Sequence, residues 1–303
     1  MFRWVLWGSL AAYAVALVAA LLAHPALPVE VAWHGANPLW TVWLPAITGI
    51  VLTRAIVTRR RRRKLDERTR NALEEHPIRA ELCWLLLFLL CFVSGTVALP
   101  RLLGAAFPPD VYVTVVPALR VLFLLVLPIL FVDRAGSTLS GNAPAMSALV
   151  MRVTESWRWL GALPVLVCIG LVGLGLRGEP FPPPGVFLFV MLLAFVAITV
   201  PEEVFFRGMV QTRLERAVGR WGGITVTSLL FALTYAAMDG YGEITALSAE
   251  GALHRLGCAL LIYGVIGVLL GYVWSHYRNI WLSVLLRGGM LTLVIAPTVR
   301  IVG

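Results

Sequence analysis

Glu202 and Glu203 stand side by side in the segment PEEVFFRG (201–208), and Arg207 follows four residues after the second. Two carboxylates and a guanidinium are the ingredients of general acid–base chemistry, or of an ion-paired lock. Their spacing separates their roles. Glu203 and Arg207 are i and i+4, so in a helix they share one face and pair in the favourable order. Glu202 points about 100° away and has no cation on its own turn. One carboxylate is then fixed and ionised by Arg207. The other is partly desolvated, a condition under which a carboxylate can serve as a general base. The same residues can equally form an interfacial charged cap that closes a transmembrane helix. Spacing alone leaves both readings open.

The setting of the pair carries more information than the pair itself. The preceding stretch GVFLFVMLLAFVAITV (185–200) is apolar throughout. Carboxylates are scarce in membrane spans, and those present usually face the bundle interior at functional positions. Of the 16 acidic residues, only Glu202 and Glu203 belong to a continuous apolar helix pattern. Pro201 kinks that helix and frees the carbonyl of Ala197. The helix is expected to run on through VFFRGMVQTRLERAVG (204–219).

The elements that must position this pair are membrane helices. The chain has 303 residues, of which 59% are hydrophobic and 14% charged, with a mean hydropathy of +0.86. Soluble domains carry about 25% charged residues. A spanning helix needs roughly 20 mostly apolar residues. About nine such segments are present, near 4–23, 38–57, 82–100, 112–132, 159–176, 185–204, 222–238, 257–274 and 280–298. The expected fold is therefore an all-α, polytopic transmembrane helix bundle. The apolar stretch of the first segment is longer than a signal-peptide core, so it reads as a span.

The net charge of +9 is a matter of topology rather than of nucleic-acid binding. The run TRRRRRKLDERTR (58–70) lies in the connection 58–80 between the second and third segments. Cytoplasmic connections collect Lys and Arg, which places this one, and the N-terminus, inside. Alternating from there puts 18 basic residues in inside connections and four in outside ones. The expectation is a multi-pass integral membrane protein, in the cytoplasmic (plasma) membrane if the cell is bacterial, with its N-terminus in the cytoplasm. The basic run is first a topology anchor, and Arg59, Arg60, Arg61, Arg62, Arg63 and Lys64 are also placed to meet anionic lipid.

Cys83, Cys91, Cys168 and Cys258 lie within apolar segments and form no C-x-x-C pair, so they read as small hydrophobes. His24, His34, His76, His254 and His276 fall in connections or at segment ends, and no H-E-x-x-H is present. No cofactor and no metal is expected. Two parts are distinguished. Residues 1–157 form an accessory membrane region that ends in a polar stretch (133–157) with a short surface helix after Pro144. The prolines of GEPFPPPG (178–185) punctuate the remainder, 158–303, whose residues 185–298 hold four spans and most of the intramembrane polar chemistry.

EEVFFRGMVQTRLERAVGRWGGITVTSLLFALTYAA (202–237) resembles the first two motifs of the CPBP intramembrane protease family, which includes CAAX prenyl endopeptidases, bacteriocin-processing and lysostaphin-resistance-like proteins. The first motif, E-E-x-x-x-R, is met by Glu202, Glu203 and Arg207, and Gly208 follows. YGVIGVLLGYVWSHYRNIWLSVLLRGG (263–289) resembles the family's later helices. The likeness covers about 185–295. It implies a glutamic endopeptidase core in the C-terminal half, with Glu202 as the base that activates water and Glu203 and Arg207 bracing it. Two positions depart from the pattern. In F-x-x-x-H, here FALTY, Phe231 is kept and Tyr235 replaces the histidine. In H-x-x-x-N, Arg287 and Leu291 replace the histidine and the asparagine. Tyr235 can donate a hydrogen bond but is a poor proton acceptor. Arg287 can stabilise an oxyanion, yet a fixed cation beside Glu202 weakens it as a base.

Two functions follow from this resemblance. One is hydrolysis of a peptide bond in a membrane protein or lipid-associated peptide, at a site open to the cytoplasmic side. The other is a degenerate relative that binds such a partner without cutting it, as a regulator or immunity-type factor. There Glu202, Glu203, Arg207 and Arg287 form a neutralised clasp, and Arg120 either draws a partner from the same network or snorkels to an interface. A transporter predicts inverted repeats, and the one Pro-interrupted acidic helix has no symmetric counterpart.

Overall fold

The computed structural model describes residues 39–74, 76–103, 110–134, 153–176, 185–238 and 252–295, with isolated positions between 4 and 18. The expected first span near 4–23, the surface helix after Pro144 and the punctuation 178–185 fall outside the described residues, single positions apart. Every described element is helical. The helices are α1 (Leu44–Ile56), α2 (Arg59–Ala72), α3 (Ile78–Leu103), α4 (Asp110–Val121), α5 (Ala162–Gly175), α6 (Val186–Glu203), α7 (Thr212–Val218), α8 (Arg220–Ala237), α9 (Ala252–Ala259), α10 (Val265–Tyr277) and α11 (Ile280–Ile295). Short π-helical stretches join several of them into longer rods.

Five rods are long and apolar enough to cross a membrane: Ile78–Leu99, Val115–Val132, Ser156–Gly175, Leu188–Val218 and Arg255–Tyr277. A sixth is present if Trp40–Ile56 and Arg59–Ala72, bent by 96°, count as one. Ile280–Val294 is apolar but shorter. The expected segment 222–238 is helical as α8, whose glycines, threonines and Arg220 make it less apolar than the others. The basic connection 58–80, expected as a loop, is largely the helix α2. Its sequence RRRRRKLDERTRNA is rich in good helix formers, which explains the difference.

Proline chemistry shapes the rods. Pro117 and Pro201 lie inside helices and remove a backbone donor. A π-helical stretch follows each, Leu122–Val126 and Val204–Gln211. The helix after Pro201 continues to Val218, as the sequence implied.

The rod α9–α10 is the axis of the core and packs against α8, α1 and α11. Its glycines allow close approach. A Cβ on Gly267 would stand 3.1 Å from the Cα of Ser228, and one on Gly271 would stand 2.9 Å from Gln211 Oε1. Gln211 uses this proximity to donate from Nε2 to the Gly271 carbonyl at 2.8 Å. The accessory helices are tied to the core by charge. Glu81 of α3 accepts from Arg213 Nε of α7 at 2.6 Å and meets His76 Nδ1 at 2.7 Å. Arg158 donates to the carbonyls of Tyr277 and Arg278, holding the end of α10.

Candidate functional site

Five helical elements converge on the carboxylate pair. Glu202 and Glu203 end α6, Arg207 lies in the π-helical stretch that follows, Arg120 comes from α4, Tyr235 from α8 and Arg287 from α11. All six side chains are buried. The five residues singled out from the sequence, Glu202, Glu203, Arg207, Tyr235 and Arg287, are thus brought together, and Arg120 joins them.

Both oxygens of Glu202 are engaged. Arg120 Nε lies 2.7 Å from Oε1. The Tyr235 hydroxyl donates at 2.8 Å to Oε2 and stands 3.1 Å from Oε1. Arg287 Nη2 is in close contact with both Glu202 Oε2 and the Tyr235 hydroxyl. Glu203 is held more loosely. Arg207 Nε is 3.5 Å from its Oε2, as the i, i+4 spacing implied, and Arg287 Nη1 is 3.4 Å from its Oε1.

Aromatic rings wall this cluster. Arg287 and Arg207 stand 4.9 and 5.3 Å from the centre of the Phe231 ring, so one aromatic ring serves both cations. Tyr235 stacks on Tyr263 at 4.0 Å between centroids, and Phe206 meets Phe231 edge-on. These contacts position Tyr235 and Arg287 alongside the ion pairs.

The chemistry available follows from occupancy. A general base must offer a free lone pair to a water. Glu202 instead receives two guanidinium groups and a phenol in a buried site, the arrangement by which a membrane interior stabilises a carboxylate as an ion. Among the described residues no three His, Cys, Asp or Glu side chains cluster as a metal site would. His276 is not drawn into the site: it ends α10, where its Nδ1 lies 2.8 Å from the Tyr272 carbonyl.

The partner of Arg120 was left open by the sequence, although a guanidinium in the apolar run VPALRVLFLLVLP demands an acid and few acids lie in helices. The Glu81–Arg213 pair was missed. Glu81 opens an apolar helix at its very end, where a carboxylate reads as interfacial, but it is 5% exposed.

The fold and the buried ionic site define an integral multi-pass membrane protein of the all-helical class. Its residues 184–292 match the family described as type II CAAX prenyl endopeptidase Rce1-like, so an Rce1-like domain occupies the C-terminal part of the chain. No curated protein and no solved structure gives a significant match.

Proposed function

We propose that this chain is a CPBP-type, glutamic-protease-like membrane protein whose site is a charge-paired clasp, and that it binds a membrane protein or lipid-associated peptide without hydrolysing it. The observation that carries this reading is the engagement of both Glu202 oxygens by Arg120, Arg287 and Tyr235. The resemblance adds that Tyr235 and Arg287 occupy histidine positions and Leu291 an asparagine position, so the groups that orient water and donate to an oxyanion are exchanged for a phenol, a cation and an alkyl chain. The proposal includes nine spans, with α8, α11 and the segment near 4–23 completing the count. It also places the N-terminus and the mouth of the site on the cytoplasmic side, and anionic lipid against Arg59–Lys64.

A hydrolytic reading has one observation in its favour. Glu202, Glu203 and Arg207 retain the E-E-x-x-x-R pattern, and the Tyr235 hydroxyl stands where a donor could orient a reacting group. The two readings part in one experiment. Membrane-protein N-termini are compared in cells carrying the wild-type protein, cells carrying Glu202→Gln at matched abundance, and cells lacking it. The proposal expects identical sets. New N-termini that require wild-type protein, and that purified protein reproduces, would overturn it in favour of an intramembrane endopeptidase.

A further inference from the structure

A polar cavity lies away from the carboxylate pair. It has a volume of about 370 Å³ and sits between α2, the end of α7 and the start of α8. That is within the range of small-ligand pockets. Four arginines line it, Arg70, Arg216, Arg220 and Arg278, with only Asp66 and Glu215 to oppose them.

The two carboxylates are already committed. Asp66 accepts from Arg220 Nη2 at 2.6 Å through both oxygens. Glu215 pairs closely with Arg278 and accepts from Gln211 Nε2 at 2.7 Å. Neither Arg70 nor Arg216 makes an ion pair among the described residues, so the wall carries two uncompensated positive charges. Arg278 and Arg220 each keep a buried Nε without a hydrogen-bond partner.

Arg278 adds an independent sign. Its φ is +48°, the left-handed region, which a residue with a side chain enters at a cost. A glycine would end α10 with less strain. The arginine spends that strain on its guanidinium, which reaches Glu215, approaches Thr212 Oγ1 at 3.4 Å and covers the Trp274 ring at 5.5 Å. At 6% exposure it forms a fixed, nearly buried floor for the cavity.

The position of the cavity points to its ligand. α2 turns by 96° from the apolar helix before it, so with that helix across the bilayer α2 lies along the surface. Asp66, Thr69, Arg70 and Leu73 of α2 line the cavity, so that orientation of α2 sets the cavity beside the headgroups. We propose that it is a binding site for a phosphate-type anion, with Arg70 and Arg216 as the mobile contacts and Arg220 and Arg278 as the preformed ones. A phospholipid headgroup and a soluble phosphate share this chemistry.

Full-length protein in neutral detergent is titrated with three monomeric probes: short-chain phosphatidic acid, short-chain phosphatidylcholine and inorganic phosphate. Binding is read by thermal shift and by intrinsic tryptophan fluorescence. The expected result is saturable binding of phosphatidic acid that weakens by about tenfold or more in Arg70→Gln/Arg216→Gln. The variant Arg54→Gln/Arg79→Gln removes the same charge from exposed positions on α1 and α3, outside both the cavity and the Arg59–Lys64 run, and should change affinity less than about twofold. Phosphatidic acid binding without a response to inorganic phosphate identifies the lipid as the source. An equal, Arg70- and Arg216-dependent response to inorganic phosphate identifies a soluble anion. Equal binding to wild type and Arg70→Gln/Arg216→Gln, equal losses in both double variants, or no binding of either anion would overturn the proposal.

Discussion

The rods Ile78–Leu99 and Arg255–Tyr277 have similar lengths and are both strongly apolar, yet 28% of the apolar stretch of the first and 83% of that of the second is buried within the protein. The first shows one face inward. Leu85, Phe88, Leu89 and Phe92 are buried, whereas Trp84, Leu86, Leu87 and Leu90 are exposed. The second is covered on all sides, from Tyr263 through Ile266, Leu269 and Leu270 to Trp274. Apolar composition reports only that water is excluded. It does not distinguish lipid from protein as the neighbour, because lipid tails solvate a leucine as well as another helix does. The core rod is recognised instead by its glycines and by the polar groups that its neighbours aim at it.

The accessory region is nonetheless more than a lipid-facing sleeve. Several of its ties to the core are ionic, Arg120 to Glu202 and Glu81 to Arg213 among them, beside neutral ones such as Trp43 Nε1 to the Leu261 carbonyl at 3.1 Å. In a medium without a hydrophobic drive between helices, such contacts supply specificity that greasy surfaces lack.

Breaking the comparison at its strongest point should give the largest effect. Glu202→Ala leaves Arg120 and Arg287 buried around a missing carboxylate, and should cost about 3–5 kcal/mol. Reversible denaturant unfolding in detergent measures it. Glu81→Gln removes the charge that joins α3 to Arg213 and should cost about 1.5–3 kcal/mol, read by the same unfolding. Gly267→Ala sharpens the packing side of the contrast. Its Cβ would press on the backbone of Ser228, and a loss of about 1–3 kcal/mol is expected. Arg68→Gln tests the exposed accessory surface. Arg68 is 56% exposed where it meets Glu155, so its loss should shift stability by less than about 1 kcal/mol and less still at high salt.

What the sequence disclosed was mostly what is local. The Glu203–Arg207 pair and the passage of the helix through Pro201 follow from three or four residues of spacing. The match over 184–292 coincides with the segment whose motifs were legible. Long-range pairing was not legible in the same way. Glu81 and Arg213 are 132 residues apart, and nothing in either neighbourhood names the other. Arg120 announced only that it needed an acid, and three-dimensional proximity chose Glu202. Helix α2 was hidden because its charge reads as a solvated connection, although charged residues with long side chains form helices well.

The central claim is that Glu202 is held by Arg120 and Arg287 as a structural ion rather than kept ready as a base. A double-mutant cycle with Glu202→Gln and Arg120→Met, followed by reversible unfolding in detergent, tests it most directly. The account predicts that the double variant loses less stability than the two single variants together, by about 1–3 kcal/mol. Losses that simply add, within about 0.5 kcal/mol, would contradict it.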